Sequence, residues 1–104
     1  DPAAGLGPLL RALPERDLGQ FLRAIQLMMR EAQQLGMASG LRTCLGCEFF
    51  RPYASSDPKQ PHFCAYVGAA FGDAQLRVDC ADQQPQSAEA LALAVQRFRD
   101  AVPS

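Results

Sequence analysis

A chain of 104 residues with a side-chain net charge of −1 has the size of one domain, near the point where a hydrophobic core suffices but a metal clip still helps. Hydrophobic residues make up 48% and aromatics only 8%, so much of the apolar content is alanine and burial alone is modest. The charge excludes the basic stripe of a nucleic-acid-binding domain, no run is long or apolar enough to span a bilayer, and the amino terminus lacks a signal-peptide pattern. The expectation is a cytoplasmic protein with no direct nucleic-acid or membrane contact. The chain opens at Asp1 without methionine, as a fragment or a processed product would.

In chain order, Leu6 to Leu13 reads as a short helical turn broken by Gly7 and Pro8. Pro14 suits the first turn of a helix, with Glu15 and Asp17 where the helix dipole favours anions. Leu18, Phe21, Leu22, Ile25, Met28, Met29, Ala32 and Leu35 then recur at three- and four-residue steps, and Gly36 is the natural stop. The resulting helix, over 14–36, would be roughly 33 Å long. Leu27 points away from that stripe, among Gln20, Arg23, Glu31 and Gln34. So long an apolar face in so small a domain predicts a homodimer paired through this helix.

The middle segment, 41–85, carries short strands at Glu48–Arg51, His62–Val67 and Leu76–Cys80, with a polar, proline-bearing loop from Pro52 to Pro61. Ser87 is a candidate N-cap for a closing helix over 87–102, whose stripe is Leu91, Ala94, Val95, Phe98 and Val102 and which Pro103 stops. The fold class is α+β in one domain: a long helix, a small zinc-ribbon-like β segment and a C-terminal helix.

Chemistry concentrates on four cysteines, spaced Cys44-x2-Cys47-x16-Cys64-x15-Cys80. Two thiols on one tight turn and two more on later strands make a ligand set for one tetrahedral ion, and four cysteines close a zinc site, which makes it structural and not catalytic. Gly46 suits a knuckle turn that needs positive φ. Structural zinc contributes on the order of 10–16 kcal/mol in finger peptides, enough to order a loop-rich middle. It would take the net charge to about −3. His62 would face the same side of its strand as Cys64. The reading adopted leaves it outside the ligand set, as a surface or neighbouring residue, with a site of three cysteines and one histidine as the alternative. Disulfides are the lesser reading, since C-x-x-C without secretory context more often binds metal or does redox work. No Ser/His/Asp signature, phosphate loop or paired-His helix motif is present, so no enzyme is expected. Met28 and Met29 read as core filling.

The cysteine spacing also resembles the ligand spacing of high-potential iron–sulfur proteins, with Phe49 and Phe50 where those proteins often carry aromatics. That resemblance implies one [4Fe–4S] cluster used for electron transfer. The chain departs from it in having no tryptophan and in setting Arg77 and Asp79 beside Cys80. Most of the chain resembles the C-terminal half of certain MarR-family transcriptional regulators. The similarity runs through Leu9–Leu18 and the long helix, then Cys44–Pro52, Pro61–Val67, Ala70–Asp73 and Leu76–Cys80. It implies a dimerisation and metal-binding portion cut away from its winged helix-turn-helix. Together these give a non-enzymatic zinc-binding dimerisation or sensing module of a bacterial regulator, with Cys44, Cys47, Cys64 and Cys80 on the metal. The alternative is an iron–sulfur protein for electron transfer or redox sensing.

Overall fold

The computed structural model describes residues 2–101. Its elements are α1 (Pro2–Arg11), α2 (Glu15–Gln34), β1 (Phe50–Arg51), β2 (His62–Cys64), β3 (Ala69–Phe71), one turn of 3₁₀ helix (Asp73–Gln75) and α3 (Ala88–Asp100). The class is mixed α+β, as the sequence implies. Val102 and Pro103, expected in the last stripe and at its stop, lie outside the described residues.

The helix ends follow local chemistry. Pro14 precedes α2 in an extended conformation, and Glu15 and Asp17 occupy the first turn. At the other end Met37 N–H donates to Ala32 C=O at 2.8 Å and Gly36 N–H to Gln33 C=O at 3.1 Å. Gly36 has φ +73°; this is a Schellman stop, which needs a residue at home in the left-handed region. Ser87 caps α3, its hydroxyl accepting from Ala90 N–H at 3.2 Å. α1 departs from expectation: it runs unbroken through Gly7 and Pro8, so the proline removes one helical donor without ending the helix.

The buried face of α2 is also not the expected one. Gly19, Leu22 and Gln26 are its buried residues, while Phe21 and Met28 remain 43% and 69% exposed. The face is turned because Arg23 and Gln26 have specific partners inside. Arg23 donates to the Tyr53 hydroxyl at 2.8 Å and to the Phe98 carbonyl, with its guanidinium carbon 4.3 Å from the Phe98 ring centre. Leu27, expected to face away, packs against the core. Met28, expected as core filling, does not.

The sheet is antiparallel in the order β1-β2-β3, with Phe50 opposite Cys64 and Cys64 opposite Ala69. The third strand is thus Ala69–Phe71 and not Leu76–Cys80. A short apolar turn brings it back, with Gly68 at φ +76° and its N–H on the Cys64 carbonyl at 2.7 Å. The expected strand Leu76–Cys80 instead makes one parallel bridge, between Asp79 and Arg42.

Leu22, Leu45, Cys47, Phe50, Leu76 and Phe98 form one buried cluster that joins α2, the cysteine turn, β1 and α3. Phe98 is the sole buried residue of α3 and is fully enclosed. Phe98→Ala should therefore cost about 3–5 kcal/mol, read as a lower urea midpoint at unchanged slope. A loss under 1 kcal/mol would mean that α3 is not held by this ring.

Candidate metal centre

The two ends of the metal segment are laced together beneath the C-x-x-C turn. Cys44 N–H donates to Arg77 C=O at 3.0 Å, and Arg77 N–H returns to Cys44 Sγ at 3.2 Å. Cys80 N–H donates to Arg42 C=O at 2.9 Å, beside an exposed Arg42–Asp79 ion pair at 2.6 Å. The turn closes on itself through Cys47 N–H to Cys44 C=O at 2.9 Å and Gly46 N–H to Thr43 Oγ1 at 3.3 Å. Gln86 then donates to the carbonyls of Leu45 and Cys47, at 3.3 and 3.2 Å.

Gly46 is not among the glycines with positive φ, so the expectation of a left-handed knuckle fails. A Cβ there would meet the Gln83 side-chain nitrogen at 3.1 Å. Its small size admits the glutamine that ties the turn to Thr43 C=O at 3.3 Å.

All four cysteines are free thiols, and all four line one cavity of about 320 Å³. The other walls are mainly apolar: Phe49, Phe50, Tyr66, Val67, Ala69, Ala70 and Phe71, with Arg77 and Asp82 among the few polar residues. Phe49 and Tyr66 lie with ring centres 5.3 Å apart, and Val67 is 71% exposed at the hairpin tip. Among the described residues, no group of three or more His, Cys, Asp or Glu stands close enough together to hold an ion. The four thiols share the lining of one space.

His62 lies elsewhere. It is fully enclosed, not at the surface, and its ring packs on Phe50, Tyr53, Phe71 and Phe98 with centres 4.7–5.6 Å away. Nδ1 accepts from Tyr53 N–H at 3.2 Å, and Nε2 faces Asp73 Oδ1 at 2.6 Å. Both ring nitrogens are engaged, and His62 does not line the cysteine cavity.

A larger cleft of about 620 Å³ opens between the start of α2 and the Ser55–Pro61 loop. Its charges are mixed, Glu15, Asp57 and Asp73 against Arg16, Arg23 and Lys59. Arg23 and Asp73 are already spent on Tyr53, Phe98 and His62. Ligating chemistry sits in the smaller cavity.

Gln26, Gln83 and Gln86 support the site without any motif to flag them. Gln26 alone left a trace in the sequence, a polar residue spaced i+4 from Leu22 and i−3 from Met29 on an otherwise apolar line.

Compared with known proteins, the chain matches no family model, no curated protein and no solved structure. No described helix is long and apolar enough to cross a membrane.

Burial pushes the Cys44 thiol up from 9.0 to about 11, against the Arg77 N–H, which favours the thiolate, while the other three thiols add to the rise. A metal entering here must displace a firmly held proton. For metal-free protein the raised pKa contributes stability that is full below pH 9 and lost as pH climbs to about 11. Reduced, metal-free chain should lose on the order of 2–3 kcal/mol across that window. Cys44→Ser should flatten the drop; equal slopes for the two proteins would refute the assignment to Cys44.

Proposed function

We propose that the chain holds one [4Fe–4S] cluster on Cys44, Cys47, Cys64 and Cys80 and serves as a non-enzymatic redox-sensing module. The observation that carries this reading is the single apolar cavity on which all four thiols open. Thiolates that hold a cluster stand around a multi-atom core, whereas zinc thiolates must all come within about 2.3 Å of one ion. A cavity of about 320 Å³ lined by all four cysteines has room for a multi-atom core, which supports the cluster over the single ion.

When bound, the cluster supplies one-electron exchange. The chain's own part is to hold, shield and tune it. Phe49, Phe50, Tyr66 and Phe71 give the sulfurs an apolar wall, and the Arg77 N–H donates to Cys44 Sγ. Hydrogen bonds to sulfur and exclusion of water are the protein's principal means of setting a cluster potential. Metal-free protein given ferrous and ferric iron in equal amounts with sulfide, without oxygen, should turn brown and take up about four iron and four sulfide per chain. Single Cys→Ser variants should lose most of that uptake. Colourless protein that binds one zinc and no iron would overturn the cluster reading and return the site to structural zinc.

The resemblance to MarR-family tails supports a sensing part of a cytoplasmic transcription regulator, with DNA contact left to another portion. The apolar side of α2 left exposed among the described residues, Phe21, Met28 and the following Leu35, supports a homodimer paired through that helix. Light scattering should return twice the chain mass at micromolar concentration, and Met28→Glu should shift it toward monomer. A monomer mass for the unmutated chain would exclude the pairing.

A further inference from the structure

Gln26 is a polar side chain with no exposed surface, on the helix that lies beneath the cysteine turn. Its two polar atoms reach the two backbone segments that build the site. Oε1 accepts from Leu45 N–H at 2.9 Å, inside the C-x-x-C turn, and Nε2 donates to Arg77 C=O at 2.8 Å. That carbonyl also accepts from Cys44 N–H at 3.0 Å, while the Arg77 N–H points to Cys44 Sγ at 3.2 Å. One side chain thus bonds the Arg77 carbonyl and the N–H of the residue that follows Cys44, on either side of the hydrogen bond to sulfur. A leucine or methionine could fill the same volume against Leu22 and Leu45, so space filling alone does not call for an amide. An amide does supply the acceptor that the buried Leu45 N–H needs, together with a second donor to the Arg77 carbonyl.

We propose that Gln26 is a positioning residue through which α2 sets the cysteine site: its amide fixes the Arg77 N–H against Cys44 Sγ, and so governs how tightly the site retains iron and at what potential it accepts an electron. The inference rests on the cluster reading given above. A donor to sulfur stabilises the more negative, reduced form, so loosening it lowers the potential. Loss of a partner that orients a ligand typically weakens metal retention by about 10–100-fold. Coupling is reciprocal: whatever displaces the Cys44 turn also pulls on the middle of α2.

The test compares reconstituted unmutated protein with Gln26→Met, which keeps the volume and removes both hydrogen bonds. With helix content unchanged by circular dichroism, Gln26→Met should show a lower reduction potential and lose iron to a chelator about tenfold faster or more. Gln26→Glu keeps only the acceptor for Leu45 N–H and should fall between the two. In metal-free protein, the Leu45 and Arg77 amides should exchange hydrogen faster in Gln26→Met than in the unmutated chain. A folded Gln26→Met with unmutated potential, iron loss and amide exchange overturns the proposal. Should that variant not fold, Gln26→Glu is read by the same criteria, and fast exchange at Leu45 and Arg77 in unmutated protein would equally refute the clamp. If the unmutated chain takes zinc and not iron, the cluster reading fails. The clamp is then judged by the rate of zinc loss to a chelator.

Discussion

A segment with few long strands must still satisfy every backbone group that it buries. Between Leu35 and Ser87 the strands are only two or three residues long, so ladder hydrogen bonds cannot meet that requirement. Backbone turns and single bridges meet much of it, and glutamine side chains add to them around the cysteine turn. Gln26 serves Leu45 and Arg77, Gln83 serves Thr43, and Gln86 serves Leu45 and Cys47. These amides converge on the C-x-x-C turn from both sides in sequence. The cysteine turn is therefore held both by long-range polar contacts and by Leu45 and Cys47, which belong to the apolar cluster.

The hydrophobic side of the same structure is organised around His62 and Phe98. Each has no exposed surface, and their rings meet with centres 5.6 Å apart. Tyr53 closes this knot in a left-handed conformation, φ +56°. A non-glycine residue held there costs roughly 1–3 kcal/mol. Its N–H on His62 and its hydroxyl under Arg23 are the contacts that hold it. The knot joins the sheet to both α2 and α3.

Local signals were legible where one residue decides the outcome. Pro14, Gly36 and Ser87 mark helix ends, and the four cysteines mark the cavity that they line. Hydrophobic periodicity misplaced the inner face of α2, because it scores Arg23 and Gln26 as solvent-facing. Their partners lie 30 to 75 positions away for Arg23 and 19 to 51 for Gln26. No pattern within a helix contains that information. The same holds for His62: proximity to Cys64 suggested a surface or ligand position, whereas Asp73 and four aromatic rings enclose it. The third strand went to Ala69–Phe71 because Gly68 permits an immediate return. Leu76 is then left to enter the core and Arg77 to meet Cys44.

The raised Cys44 pKa bears on the chemical durability of the metal-free chain. With its proton held until about pH 11, the thiol is ionised in only about one molecule in ten thousand at neutral pH. Oxidants and disulfides are attacked by thiolate and hardly at all by thiol. At Cys44 the same burial that obstructs metal entry slows the first step toward sulfenic acid or a misplaced disulfide. The metal-free chain thus keeps this sulfur reduced, one of the four on which the proposed site depends.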